Sequence, residues 1–170
     1  MIEQRATTIP VSTVHTLESL HAKCQRLSVS NWFGCLNRNG LDEALAELNL
    51  DGLAMVYGDA DDLKLANLKW GKVNASARIA QAIKKTIRRA IDIIFGQWFS
   101  GDEFCAFVPV ETAYAFAQHW QSNFKAVDMS ISICIAPIRA SVSIEILANQ
   151  CDERLTEVKQ LTKGLIVFLD

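Results

Sequence analysis

Several things are scarce in this 170-residue chain, and each scarcity removes a class of protein. No apolar run approaches the roughly 20 residues of a membrane span; the longest, such as "ISICIAPI", is far shorter. The N-terminus lacks a basic region followed by an apolar stretch and a cleavage site, so a cytoplasmic protein is expected. The five cysteines, at positions 24, 35, 105, 134 and 151, form no CxxC pair and have no histidine at metal-ligand spacing. That argues against a disulfide framework or a zinc site, and the cysteines are expected to pack as small apolar residues. His15, His21 and His119 have no acidic or cysteine partner at useful spacing and are read as structural or exposed. There is no internal repeat and no low-complexity linker.

Acidic residues are missing from Leu63 to Ile91, where Lys64, Lys69, Lys72, Arg78, Lys84, Lys85, Arg88 and Arg89 are all basic. A solvated helix face or an anion-binding surface both fit that block. Net charge is only -2 and half the residues are apolar, enough to bury one substantial core. Residues 1–29 are read as an extension in which Leu17, Leu20, Cys24 and Leu27 repeat at helical-seam spacing, a candidate dimer contact; residues 30–170 form the domain proper.

Within the domain, Leu41, Ala44, Leu45 and Leu48 predict a short amphipathic helix. "GLAMVYGDADD" predicts a buried strand running into three aspartates. A helix follows over about 74–90 with Ile79, Ile83 and Ile87 aligned, then a strand in "IDIIFGQWF". "SGDE" turns the chain, since Gly101 tolerates positive φ, and "FCAFVP" returns as a strand. Helix 110–125, the alternating strand "MSISICIAP" with one bulky face, helix 141–162 ended by Gly164, and the strand "LIVFL" complete the chain. The order predicts an α+β fold, a mixed central sheet with flanking helices lying mainly on one side, as in ferredoxin-like palm domains.

Two acidic clusters stand out: Asp59, Asp61 and Asp62 at a strand end, and Asp102 with Glu103 at a hairpin tip. Either alone reads equally well as solvated turn residues. If the hairpin pairs beside the first strand, Asp59 and Asp102 converge, and like charges held close call for a cation. Magnesium suits such a place, because it prefers a few carboxylates together with substrate phosphates.

With those residues in view, "SGDEF" resembles the GGDEF signature of diguanylate cyclases, and "DADDLKLAN" resembles the family pattern DxDxFKxxN with Leu63 in place of phenylalanine. "FGCLNR" is similar to the family's DxLTGLxNR, and "CDERLTEVKQLTKG" falls where the family has ADxALYxAKxxGRN. The resemblance spans roughly residues 30–170. It implies metal coordination by Asp59, Asp102 and the carbonyl of Ala60, with Glu103 near the attacking 3′-hydroxyl. It implies phosphate contacts at Asp61, Asp62, Leu63, Lys64, Lys159 and Lys163, and base recognition by Asn67 and Ser76. The i, i+4 spacing of Lys159 and Lys163 would also put both on one helical face.

The resemblance further implies a cyclic-dinucleotide synthase that condenses two nucleoside triphosphates, GTP and/or ATP, with two magnesium or manganese ions per site, acting as a homodimer. No DNA or membrane binding is expected, and an effector that reads the product would complete the pathway. Alternatives are an adenine-using signalling cyclase related to the CRISPR type III palm polymerase, or a catalytically silent nucleotide-binding module. Ser76 stands where the family has an aspartate that accepts guanine's N–H groups; relatives that make mixed GMP-AMP products are similar in carrying serine there. Ser76 is equally read as a helix cap, and both roles are compatible. Leu68, Trp98 and Ser100 are further departures. The family's inhibitory RxxD is matched only by Arg89 and Asp92 of "RAID", about two residues too far upstream, which speaks against product inhibition.

Overall fold

The computed structural model describes residues 28–30, 32–88, 93–99 and 101–169. The leucine seam before Ser28, Cys24, His15, His21, Arg89, Asp92 and Ser100 lie outside them. In chain order the described elements are α1 (Arg38–Glu47), β1 (Leu53–Ala60), α2 (Leu63–Trp70), α3 (Lys72–Ile87), β2 (Ile94–Gln97) and β3 (Glu103–Pro109). A 3₁₀ turn (Val110–Thr112), α4 (Ala113–Lys125), β4 (Ile131–Pro137), α5 (Ile144–Lys159) and β5 (Ile166–Phe168) follow. No helix among the described residues is long and apolar enough to cross a membrane.

One mixed sheet runs in the order β2-β3-β1-β4-β5, antiparallel except for the parallel pair β4 and β5. Strand β1 is therefore central, and the β2–β3 hairpin lies beside it as its acidic turn required. The helices cover both faces rather than mainly one. The reason lies in the strands: apart from Asp59 and Glu103 at one end, the residues on both sides of β1, β3 and β4 are almost all apolar or small, so each side needs a cover. On one face Val56, Phe104, Ala106, Ile133 and Ile135 pack with Ile79, Ile83, Trp120 and Phe124 from α3 and α4. On the other Met55, Tyr57, Cys105, Phe107, Cys134 and Ala136 meet Leu41 of α1 and Leu147, Cys151 and Leu155 of α5. The four described cysteines are buried and free, as small core residues should be.

Gly58 sets the depth of the first of these layers. A Cβ there would lie 2.7 Å from Cη2 of Trp120 and 2.9 Å from Cδ1 of Ile131, so the bare backbone is what lets the indole rest on the central strand.

Several elements differ from expectation. "LKLANLKW" forms α2, an unforeseen helix. Helix α3 starts at Lys72, not near Asn74, with Gly71 at its N-cap, so Ser76 lies inside the helix and caps nothing. Glu103 is the first residue of β3, leaving only Asp102 in the turn. Helix α5 begins after Ser143, whose Oγ accepts the Ile146 N–H at 3.3 Å, and ends at Lys159. Gly164 (φ 69°) and Lys163 therefore belong to the loop before β5, and the helical-face argument for Lys159 and Lys163 does not hold.

Candidate functional site

The carboxyl end of β1 gathers the predicted residues. Ala60 donates its amide to the Asp102 carbonyl (3.1 Å), which fixes Ala60 and Asp102 as a hydrogen-bonded pair of the ladder. Asp59 and Glu103 are then opposite each other in the non-hydrogen-bonded register, where side chains on the same face stand closest. Asp59, Ala60, Asp102 and Glu103 thus share one rim, held by the backbone of two central strands.

Lys159, at the end of α5, reaches into that rim. Its Nζ lies 2.7 Å from Asp59 Oδ2 and 3.2 Å from Asp61 Oδ1, and it donates to the Asp59 carbonyl at 3.1 Å. Burial is the main influence on the Asp59 carboxyl and lifts it above the usual carboxylate range. The Lys159 hydrogen bond and charge oppose that shift, and the charges of Asp102 and Asp61 add to it. An acid held in this way is poorly neutralised by a single ammonium.

Asp61 behaves differently, although it is only two residues away. Its side chain is fully buried (0% exposed), and it accepts from Ser130 Oγ (2.7 Å), Ser132 Oγ (2.7 Å) and the Gly164 amide (3.0 Å). Its own amide is bonded to the Ser130 carbonyl at 2.9 Å. Amide and carboxylate are both committed inside the domain, so the phosphate contact expected of Asp61 has no group left to make it. Ser132 of β4 and Ser130 just before it are the small, polar positions of the alternating stretch, and this network is their use.

The remaining phosphate candidates sit where α2 begins. Asp62, exposed and left-handed (φ 56°), is the N-cap, and Lys163 pairs with its carboxylate. The first-turn N–H groups of a helix, here those of Leu63 and Lys64, have no partner within it, and the dipole favours an anion there. Lys64 is exposed beside them.

The two base-recognition candidates are not joined in one cavity. Asn67 is half-buried on α2, its carbonyl accepting the Gly71 amide at 2.9 Å. Ser76 lines a cleft of about 250 Å³ on α3 with Trp32, Lys72 and Val73. A further cleft of about 330 Å³, which the sequence did not disclose, opens beside Glu103 and is bounded by Tyr57, Trp98, Phe99, Asn149 and Asp152. Burial raises the Tyr57 phenol well above its ordinary range, and the charges of Glu103, Asp152 and Asp59 add to that. Trp98, an unexpected residue at its position, is stacked by the Arg38 guanidinium at 4.1 Å, and Arg38 also pairs with Asp42 and Glu145. The only signal for this cleft was the aromatic pair before the turn.

Among the described residues no three His, Cys, Asp or Glu side chains converge closely enough to hold a metal by themselves. The donor set at the rim, two carboxylates and a carbonyl, is all hard oxygen. It fits magnesium, which completes its shell with water and phosphate oxygens, and does not fit a site built wholly from protein ligands.

No protein-family profile matches the chain, and no curated protein sequence does. Solved structures do match. The diguanylate cyclase SiaD of Pseudomonas aeruginosa, determined with its activator SiaC, is 17% identical over 94% of this chain and 70% of its own, with a TM-score of 0.74. The GGDEF domain of DgcB from Caulobacter crescentus, in complex with c-di-GMP, is 19% identical over 84% of this chain and 93% of its own, with a TM-score of 0.66. The active GGEEF domain of a diguanylate cyclase from Vibrio cholerae is 18% identical over 80% of this chain and 97% of its own, at 0.64. The fold is that of GGDEF domains, a cyclase palm.

Proposed function

We propose that the chain is a nucleotidyltransferase that joins two nucleoside triphosphates into a cyclic dinucleotide. The observation that carries this reading is the pairing of Asp59 with Glu103 across the central ladder, with Asp102 one residue away and Lys159 on the same rim. The likeness to diguanylate cyclase domains supports it.

In this reading Asp59, Asp102 and the Ala60 carbonyl hold divalent magnesium or manganese, two ions per site. Bound there, such ions would neutralise phosphate charge and lower the pKa of a coordinated hydroxyl. The chain's own part is positioning and charge. The 3′-oxygen of one nucleotide forms a bond to the α-phosphorus of the other, and the bond from that phosphorus to the bridging oxygen breaks. Pyrophosphate leaves, and the hydroxyl proton passes toward Glu103. Lys64, Lys163 and the amides of Leu63 and Lys64 receive the phosphates. Lys159 joins them once Asp59 is neutralised by something other than its ammonium. Two subunits, each presenting one nucleotide, are needed to close the ring, so the working form is a homodimer.

Asn67 and Ser76, on separate helices, are the residues this reading assigns to the base. A serine hydroxyl both donates and accepts and carries no charge, so adenine is accepted at least in part. The test is to incubate the protein with Mg²⁺ and ATP, GTP or both, measuring pyrophosphate and identifying products by mass spectrometry. A product containing AMP is expected; no pyrophosphate under any combination refutes the reading.

A further inference from the structure

The basic block of α3 is absorbed by nothing described so far, and its cations are not alike. Arg78 is neutralised: it donates to the Val127 carbonyl at 2.7 Å, meets Asp128 at 3.3 Å and stacks on Trp70 at 4.1 Å. Among the described residues, Lys84, Lys85 and Arg88 have no acidic partner. With Trp32, Ala77, Ala80 and Gln81 they line a cleft of about 500 Å³. That volume is in the range of small-molecule sites.

Trp32 stands on a turn that is itself well fixed. Its turn is closed by Gly34 N–H to the Ser30 carbonyl (2.7 Å) and Ser30 N–H to the Cys35 carbonyl (2.8 Å), and anchored by Phe33, buried edge-on against Phe104. Trp32 itself stays 48% exposed. Gly34, at φ 71°, suits the turn, and the Lys84 stem runs beside it: a Cβ there would be in ordinary contact with Lys84 Cε at 3.4 Å and its Cγ at 3.6 Å. The lysine stem thus lies along the turn that carries Trp32, and both side chains line the same cleft.

We propose that this cleft is a binding site for a free nucleoside polyphosphate, the base stacked on Trp32 and the phosphates on Lys84, Lys85 and Arg88. An indole face accepts any base, and unpaired cations at one end of the stack suit adjacent phosphate charges. The site lies on the outer side of α3 and uses none of the acidic residues at the end of β1. It shares Trp32 with the cleft that Ser76 lines, but none of the residues assigned to the proposed chemistry.

Calorimetric titration of ATP into the full chain in EDTA tests it, because chelation removes any divalent cation from the acidic rim. One ATP per chain is expected, with affinity falling about tenfold or more in Trp32→Ala and in Lys84→Gln/Arg88→Gln. The exposed Lys85→Glu, which cannot disturb the core, is expected to weaken binding by a similar factor, and Asp59→Asn to leave it unchanged. The proposal is overturned by absence of binding in EDTA or by insensitivity to the Trp32 and Lys85 changes. Inorganic tripolyphosphate binding as tightly as ATP would also overturn it, as would a single-stranded oligonucleotide binding more tightly than ATP.

Discussion

Asp59 and Asp61 stand two residues apart at the end of the same strand, share Lys159, and live in opposite circumstances. Asp61 is sealed, with four bonds from two serines, a backbone amide and an ammonium. Asp59 has one cation for partner, a carboxylate opposite it and another one residue beyond. The first arrangement satisfies a buried charge and makes it a fastening of the fold; the second leaves charge that a further cation would relieve. Burial alone does not tell a structural acid from a reactive one, but the number of donors pointing at it does.

The comparison is most exposed to failure at Asp61. Asp61→Ala leaves Lys159 and two serines facing a void, and loss of about 3–5 kcal/mol is expected in chemical denaturation, as for other broken buried ion pairs. A loss no larger than for a surface residue would erase the distinction. Asp59→Asn and Asp102→Asn are expected to lower pyrophosphate release by at least about a hundredfold, the scale of removing one preorganised electrostatic group, with both variants still folded by circular dichroism. Activity surviving in both variants would move the chemistry elsewhere.

The contrast has a pH signature in metal-free protein. Folding raises the Asp59 carboxyl, so the folded state binds its proton more readily than the unfolded chain does. The stability this contributes is complete below the ordinary aspartate value and is lost as pH rises through the raised one. Urea denaturation in EDTA should show that decline as pH rises from the ordinary aspartate value, and Asp59→Asn should flatten it; an unchanged slope would argue that Lys159 fully compensates the site. The smallest effect is expected at Ser76→Asp, a shift of the product from adenine toward guanine by about tenfold, read by mass spectrometry with equal ATP and GTP. No shift would separate Ser76 from base choice.

Much of this was legible in the sequence, and for identifiable reasons. The alternating "MSISICIAP" and the turn around Gly101 carry local signals, and two acidic clusters beside buried strands pointed to convergence before any coordinates did. Helix α2 was hidden because Leu65 and Leu68 are exposed while Leu63, Ala66 and Trp70 face inward, so apolar residues on both sides blur the period. Its junction with α3 has only Gly71 at the cap, with no side-chain cap to announce a start. Gly164 looked like a helix stop by composition; its partner, Asp61, is about a hundred residues away in the chain, and no local rule reports a bond of that kind. The same distance concealed that Asp61 is a fastening, since Ser130 and Ser132 read only as the polar half of a strand.

Through the Gly164 amide the loop bearing Lys163 is pinned to Asp61, just past the end of β1, and the edge strand β5 begins two residues later. The outermost strand, with its exposed Phe168, is therefore tied by one short loop to the innermost one, and the same loop carries the lysine that meets Asp62.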